Sequence, residues 1–252
     1  MSKANVVVIA SEGLTTNLLV EHLSHRVNVT QVFIETPESK KAILKRRIKR
    51  IGLSKTIGQV LFMLFALPFV PKKEKRISQI MKDHNLKGNE IDPNLIQQID
   101  SVHDNAFAQQ LETAQPTLIF INGTRILKKA LLEKIKCPII NIHVGITPKY
   151  RGVHGGYWAV HNNDLAHFGV TLHLVDAGID TGQIIAQKVI IPAKDDNFKT
   201  YPILQYCNGL DLISSQHENL LSDKIKTTAA ITQESKLHFH PTLWQFWFKG
   251  KS

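Results

Sequence analysis

The alternation of short apolar runs with helix-periodic segments most strongly constrains the fold of this 252-residue chain. Near-continuous apolar runs, typical of strands buried on both faces, occupy residues 5–10, 27–34, 116–122 and 138–143. Helical periodicity follows or precedes them at residues 14–23, 104–114 and 126–135. This alternation predicts an α/β fold, a Rossmann-type mostly parallel sheet covered by helices on both faces.

The pattern changes in the second half of the chain. Residues 169–176 and 183–191 are strand-like and are joined by a short glycine-containing link, which predicts an antiparallel pair and therefore a mixed sheet. Residues 200–221 are periodic enough for a long helix. We expect a catalytic domain over residues 1–192, interrupted by an insertion at about 40–76, and a helical C-terminal appendage over 193–252.

The positive charge of the chain is concentrated in the insertion. Twelve lysines and arginines lie between Lys40 and Arg76, opposed only by Glu74, whereas the net charge of the whole chain is +10. The rest of the chain is therefore close to neutral. Because the high pI comes from one segment, it does not indicate nucleic-acid binding, and we expect no nucleic-acid partner. The two cysteines provide no disulfide framework, and the N-terminal apolar run is too short for a signal peptide, so we expect a cytoplasmic protein.

An apolar run at residues 57–70 lies between the basic stretches of the insertion. A helix that crosses a bilayer needs about 20 apolar residues, and this run is shorter. Flanking lysines and arginines favour a helix in the headgroup region of an anionic membrane, at the inner face of the cytoplasmic membrane. A core helix or a contact between two copies of the chain remains an equally acceptable interpretation.

The candidate catalytic residues begin at the end of a predicted strand. Asn141 and His143 are two residues apart, so their side chains should share one face at the carboxyl end of the strand, where open α/β sheets bind ligands. Asp180 follows in a turn between Gly178 and Gly182, glycines that permit positive φ and let the carboxylate project toward a neighbouring loop.

An amide, an imidazole and a carboxylate suit acyl transfer to an amine. The Asn141 amide and a protonated His143 would donate hydrogen bonds to the developing oxyanion, which is commonly the largest catalytic contribution. Asp180 would orient His143 and relay the proton that leaves the amine. No metal or redox cofactor is implied, since His238 and His240 have ligand-like spacing but no third ligand nearby in the sequence.

Several motifs in order carry a family resemblance: Asn141-Ile-His143, Pro148-Lys-Tyr-Arg-Gly152, Gly169-Val-Thr171 and Asp176-Ala-Gly-Ile-Asp-Thr-Gly182. Over residues 100–192, and more weakly over 1–35, the chain resembles the catalytic domain of the 10-formyltetrahydrofolate-dependent formyltransferases. That resemblance implies a formyltransferase fold, 10-formyltetrahydrofolate as co-substrate, and catalytic roles for Asn141, His143 and Asp180. It also implies donor-binding positions at Arg125, Ile126 and Leu127 and in the loop containing Asp176 and Gly178.

The departures from the family pattern bear on the acceptor. Residues 11–17 are longer and more acidic than the phosphate-binding turn of glycinamide ribonucleotide enzymes, and little sequence follows the core to form the β-barrel domain of the tRNA enzymes. By elimination we expect a small amine, such as a nucleotide- or lipid-linked amino sugar of an envelope pathway. A 10-formyltetrahydrofolate hydrolase and a catalytically idle, membrane-associated folate or sugar binder are the alternatives.

Overall fold

The computed structural model describes residues 4–248. Its strands are β1 (Asn5–Ala10), β2 (Asn28–Glu35), β3 (Ile96–Ile99), β4 (Leu118–Asn122), β5 (Ile139–His143), β6 (Arg151–Gly152), β7 (Gly169–Leu174), β8 (Ile184–Val189) and β9 (Leu237–His238). Seven of them form one sheet in the order β3-β2-β1-β4-β5-β7-β8, and β6 pairs with β9 separately. The pairs on the β3 side of β5 are parallel, whereas β5–β7 and β7–β8 are antiparallel. The predicted mixed, mostly parallel sheet is therefore confirmed.

The helices are α1 (Leu14–Ser24), α2 (Lys40–Ile51), α3 (Leu53–Phe65), α4 (Glu74–Asp83), α5 (Asn105–Ala114), α6 (Lys129–Leu132), α7 (Gly155–His161), α8 (Tyr201–Ser215), α9 (His217–Leu220) and α10 (Leu243–Trp247). Side chains alternate between two apolar layers because successive strand residues point to opposite faces. In β1, Val6 and Val8 join the layer that includes α1 and α8, whereas Val7 and Ile9 join the layer that includes α5.

Two helices differ in length from the predictions. The periodic stretch at 126–135 yields only the four-residue α6, and the stretch at 200–221 breaks near Gln216 into α8 and α9. The helical C-terminal elements are present, but Leu204, Cys207 and Leu210 of α8 are buried in the same apolar cluster as the sheet. The domain boundary near residue 192 stays a prediction, and α8 belongs physically to the core.

The insertion folds as three helices, α2 to α4, of which α3 is two-sided. Its inner side buries Phe62 against the rings of Phe198 and Phe246, with centroid distances of 5.3 and 5.0 Å. Its outer side leaves Leu64 and Phe65 exposed to solvent. The core interpretation of the apolar run thus holds for one side of the helix, while the other side has no cover among residues 4–248.

No single helix in the described part of the chain is long and apolar enough to cross a membrane. One pair, Leu53–Phe69 with Glu74–Asp83, reaches the length and composition of a span but is bent by 88° at its break.

An ion pair ties α4 to the C-terminal half of the chain. The Arg76 guanidinium donates to both oxygens of Asp196, with Nε–Oδ1 and Nη2–Oδ2 distances of 2.9 Å. The Asp196 side chain is fully buried. Burial alone would raise the pKa of this carboxyl, but hydrogen bonds from Arg76, the Ala193 N–H and Thr200 outweigh it and lower the pKa.

Candidate active site

The central side chains come from β5 and its antiparallel neighbour β7. Asn141 and His143 lie on one face of β5, as predicted from their two-residue spacing. Register places His173 opposite Asn141 and Thr171 opposite His143. The antiparallel pairing therefore brings a second histidine to the point where β5 ends.

The His143 ring is held by the turn that follows β5. Its Nε2 lies 2.7 Å from the Tyr150 carbonyl oxygen, so Nε2 carries the proton and donates. Nδ1 then faces Asp180, with 3.4 Å between Nδ1 and Oδ2. This differs from the expectation that a protonated His143 donates to an oxyanion, because the folded-back turn already takes the Nε2 proton. In this geometry Asn141 is the amide donor and His143 faces the carboxylate.

Asp180 itself occupies the left-handed region, at φ 51°. Neither Gly178 nor Gly182 uses the positive φ that a glycine permits. Gly182 serves close approach instead, because an added Cβ would lie 1.7 Å from the Leu174 carbonyl oxygen. A non-glycine residue with positive φ is uncommon and often marks a functional position.

The Asp180 carboxylate is held between the two histidines. Oδ2 accepts a 2.8 Å hydrogen bond from the Gly152 N–H, and Oδ1 lies 3.8 Å from Nε2 of His173. The three residues selected from the sequence therefore meet at one place, at the carboxyl end of β5.

His173 is a site residue that the sequence reasoning missed. Its Nδ1 donates to the Leu174 carbonyl oxygen at 2.8 Å, so Nε2 is left as an acceptor for the Asn141 side-chain N–H, at 3.2 Å. Burial, reinforced by His143, lowers the pKa of His173 and favours the neutral ring. Its position at the centre of the strand motif was visible in the sequence, but its cross-strand partner was not.

A cavity of about 630 Å³ opens around these groups. Arg125, Ile126 and Leu127 line one side, together with Asp176 and Gly178 of the loop before Asp180. The buried Glu35 carboxylate accepts from the Arg125 backbone N–H at 2.9 Å and from its guanidinium at 2.6 Å. These bonds fix the backbone of residues 125–127 along the cavity wall.

The Asp176 side chain shapes the loop in which it lies. Its Oδ1 accepts from the Gly178 N–H at 3.0 Å and from the Thr181 hydroxyl at 2.7 Å. This arrangement is an Asx turn, which fixes the loop over the cavity mouth. Ligand contacts by Asp176 and Gly178 stay a prediction.

The other side of the cavity is formed by the insertion and by the segment around β9. Ile43, Arg47 and Arg50 of α2 line it, as do His238 and His240. Nδ1 of His240 is 2.9 Å from Nε2 of His154. Within residues 4–248, no group of three or more His, Cys, Asp or Glu side chains could hold a metal ion.

A Rossmann-type sheet with an amide, two imidazoles and a carboxylate at the carboxyl edge defines an α/β protein built for acid–base chemistry on a bound ligand. The chain belongs to the formyl transferase family, whose family model matches residues 4–202. Enzymes of this family use 10-formyltetrahydrofolate as the formyl donor. The resemblance seen in the sequence motifs is thereby confirmed at the level of the family.

Among curated relatives, a methionyl-tRNA formyltransferase of Thermodesulfovibrio yellowstonii is 31% identical over 189 residues, covering 72% of this chain and 56% of that protein. The chain thus spans about half the length of this relative. A solved phosphoribosylglycinamide formyltransferase from Anaplasma phagocytophilum has a TM-score of 0.59 at 15% identity, covering 93% of this chain and 97% of the other. A solved sugar 3N-formyltransferase, WlaRD, has a TM-score of 0.53 at 19% identity, covering 94% and 70%. Both structures share the fold.

Proposed function

We propose that this protein is an N-formyltransferase that moves the formyl group of 10-formyltetrahydrofolate to a small amine, with an amino sugar as the favoured acceptor. The observation that carries the proposal is the convergence of Asn141, His143 and Asp180 at one end of the cavity, with 3.4 Å between Nδ1 of His143 and Oδ2 of Asp180. The family membership gives this set of groups a formyl carbonyl to act on.

The donor would bind along the wall formed by residues 125–127 and the loop at 176–180. The donor supplies the formyl carbon, and the chain supplies a fixed backbone edge on one side and a loop held by Asp176 on the other. The backbone N–H and C=O groups of this wall lie beside the apolar side chains of Ile126 and Leu127. This combination suits a donor that has a flat heteroaromatic ring with polar edges. Arg125, Ile126, Leu127, Asp176 and Gly178 are therefore our proposed donor-binding residues.

Asn141 would stabilise the oxyanion. One N–H of its amide is directed to Nε2 of His173, which leaves the second N–H free to donate to a carbonyl oxygen bound beside it. A preorganised donor of this kind is worth roughly 10²–10³ in rate. His173, which stays neutral through burial, sets the orientation of the amide and does not contact the reacting atoms in this scheme.

His143 and Asp180 would handle the proton that the amine loses on attack. Nδ1 of His143 is the ring nitrogen not bound to the Tyr150 carbonyl, and it faces the carboxylate at a distance longer than a tight hydrogen bond. The Asp180 carboxylate would take the proton from the amine directly or through a water molecule beside it. General acid–base assistance of this type contributes roughly 10²–10⁴ in rate.

The small-amine acceptor is supported by fold likeness to a solved sugar enzyme. The sugar 3N-formyltransferase, which was solved with dTDP and 5-N-formyl-THF, shares its fold with 94% of this chain. No nucleic-acid partner is included in the proposal, which makes methionyl-tRNA an informative competitor in the test.

The test incubates the protein with 10-formyltetrahydrofolate and a panel of amino-sugar nucleotides, amino sugars and methionyl-tRNA. We expect tetrahydrofolate to form together with a product 28 Da heavier than one of the small amines, detected by mass spectrometry. The Asp180→Asn and Asn141→Ala variants should form both products at least about 10²-fold more slowly. Formate release without any amine would identify a hydrolase, and absence of turnover with intact folate binding would identify an idle binder. Formylation of methionyl-tRNA alone would contradict the acceptor proposal.

We also propose that the outer side of α3 rests on an anionic membrane surface, at the inner face of the cytoplasmic membrane. This side and the turn after it present large exposed apolar residues: Leu53, Ile57, Leu64, Phe65 and Phe69. Exposed Lys55 lies in the first turn of α3, and exposed Lys72, which pairs with Glu74, follows the turn after the helix. Apolar residues framed by lysines match the charge and depth of an anionic headgroup layer.

Co-sedimentation with vesicles tests this docking with point substitutions, because deletion of the insertion would remove the buried Phe62. We expect the double variant Leu64→Ser, Phe65→Ser to lose binding to vesicles that contain phosphatidylglycerol. Leu165→Ser, which changes an exposed leucine outside the insertion, should bind as the unmodified protein does. Equal partitioning of the double variant and the control would refute the membrane proposal.

A further inference from the structure

One face of α2 forms part of the cavity that holds the candidate catalytic groups. The lining residues on this helix are Ile43, Arg46, Arg47, Arg50 and Ile51. Their spacing of three and four residues places them on a single side of the helix. Three arginines therefore face the cavity, whereas Lys45 and Lys49 lie outside its lining.

The charge of this face is largely uncompensated. Arg46 pairs with Glu38. Arg47 contacts the sulfur of Met63 at 3.9 Å, and the guanidinium carbon of Arg50 lies 5.2 Å from the centre of the Phe239 ring. Across residues 4–248, neither Arg47 nor Arg50 has a carboxylate within 4 Å. Arg47 is half-buried and Arg50 is exposed. Guanidinium groups without a counter-ion beside a cavity favour the binding of an anion.

The acidic residues of the cavity lie elsewhere. Asp176 and Asp180 are the carboxylates of its lining within the described residues, and both belong to the loop on the opposite, donor-side wall. On the α2 side, burial followed by the charge of Arg47 lowers the pKa of His240 to about 4, so this ring is neutral. The α2 wall thus combines cationic arginines with neutral polar groups and carries no negative charge.

Two residues that line the cavity each have a buried polar atom without a hydrogen-bond partner in the described part of the chain. The Tyr206 hydroxyl and Nε2 of His238 have no hydrogen-bond partner within residues 4–248, although both side chains are more than nine-tenths buried. Buried polar atoms are normally satisfied, and an orphan beside a cavity is a sign of a ligand group. These atoms are independent of the arginines and line the same cavity.

We infer that Arg46, Arg47 and Arg50 bind a phosphate or diphosphate group of the acceptor, so that the substrate is a phosphate-bearing amine. This inference rests on the proposed function, because it takes the cavity as the place where donor and acceptor meet. Planar guanidinium groups bind phosphate oxygens through paired N–H donors. The phosphate holds the acceptor against α2, and its amine reaches the carbonyl beside Asn141.

A phosphate group can come from a nucleotide-linked or from a lipid-linked amine. The arginines recognise the chemistry that these two share. To separate the two sources, the affinity for UDP and the affinity for a polyprenyl phosphate in detergent micelles are each compared with the affinity for inorganic pyrophosphate. Tighter binding of UDP would indicate a nucleotide-linked acceptor, and tighter binding of the polyprenyl phosphate would indicate a lipid-linked one.

Titration calorimetry of the full chain with inorganic pyrophosphate at low salt tests the inference. The double variant Arg47→Gln, Arg50→Gln should bind at least about tenfold more weakly than the unmodified protein, because both unpaired guanidinium groups are lost. The control Lys45→Gln, Lys49→Gln removes the same charge from the same helix, outside the cavity lining, and should stay within about twofold. With a turned-over acceptor, the arginine variant should raise KM and leave kcat nearly unchanged.

Equal weakening in both double variants would mean that pyrophosphate senses only the net charge, and this would overturn the inference. No weakening in the arginine variant would overturn it as well. Binding of 5-formyltetrahydrofolate, measured in the same samples, separates this failure from failure of the proposed function. If the unmodified protein does not bind 5-formyltetrahydrofolate, the formyltransferase proposal itself is contradicted. Folate binding without arginine-dependent pyrophosphate binding contradicts only the arginine site.

Discussion

Nε2 of His173 accepts a hydrogen bond from the side-chain amide of Asn141 across the β5–β7 pair, with 3.2 Å between the two nitrogens. The bond decides which way the amide lies, because the other ring nitrogen, Nδ1, is committed to the Leu174 carbonyl. The neutral tautomer with a proton on Nδ1 is therefore the form that positions Asn141. In the proposed mechanism, His173 therefore orients the donor without contacting the reacting atoms.

Replacing His173 by Leu should lower kcat by roughly 10–100-fold, because a misoriented donor loses most of its stabilisation of the oxyanion. His173→Gln retains an acceptor and should recover part of the loss. Steady-state kinetics check this prediction, with 5-formyltetrahydrofolate binding as the test that the donor wall is intact. A drop in folate affinity with unchanged kcat would show that His173 serves only to support the fold.

Asp180→Asn should lower kcat by roughly 10²–10⁴ while the fold stays intact. The substitution suits the site because asparagine tolerates positive φ, which alanine at φ 51° would not. The change removes the negative charge beside His143 and leaves an oxygen for the Gly152 N–H. Single-turnover rates measure the chemical step directly.

The matched control is Asp195→Asn, which changes an exposed aspartate paired with Lys73 outside the cavity. It should retain the rate of the unmodified protein. An Asp180→Asn variant that is as active as this control would show that Asp180 is a turn residue without a part in proton transfer.

The main strands were predictable because their signals are local. Apolar runs gave β1, β2, β4 and β5 to within about two residues, and the glycine-containing link announced the β7–β8 hairpin. The short β3, Ile-Gln-Gln-Ile, carries little apolar signal and exists through its pairing with β2. Strand pairing between distant segments decides such elements, and a single sequence does not display it.

The candidate site, like the strands, was predictable only where the signal is local in the sequence. The spacing of Asn141 and His143 fixed their common face, but the role of His173 depends on cross-strand register, and the proton position on His143 depends on the turn that returns Tyr150. Likewise, the charge of α2 was evident from the sequence, whereas the side that faces the cavity was not. Long-range packing supplies this information.

Removing Arg76 should destabilise the protein by about 1.5–3 kcal/mol, because the buried Asp196 carboxylate loses its counter-ion and keeps only the Ala193 N–H and the Thr200 hydroxyl as donors. Urea unfolding of Arg76→Ala measures the change in the free energy of unfolding. Lys75→Ala is the control: Lys75 is the exposed neighbour on α4 and has no ion pair within the described chain, so a change below about 0.5 kcal/mol is expected. Equal stability of both variants would show that the α4 attachment contributes little.

Stability should fall as the pH drops from about 6.5 to about 4, in part through His22. Burial, reinforced by the charge of Arg26, lowers the pKa of His22 from 6.5 to about 4, and its Nε2 lies 3.0 Å from the Ser214 hydroxyl oxygen. The unfolded chain binds this proton near pH 6.5 and the folded chain only near pH 4, so the stabilisation is complete above 6.5 and is lost across that window. The shift corresponds to about 3 kcal/mol.

His22→Gln keeps a side chain that can hydrogen-bond to Ser214 but does not titrate. Between pH 7.5 and pH 4.5 it should therefore lose about 3 kcal/mol less stability than the unmodified protein, as measured by urea unfolding at each pH. His25→Gln, an exposed neighbour, should follow the unmodified curve. The loss of stability should become smaller without disappearing, since burial also lowers the pKa of His238 and His240 to about 4. If the free energy of unfolding depends on pH in the same way for His22→Gln and the unmodified protein, the loss of stability in acid comes from His238 and His240 and not from His22.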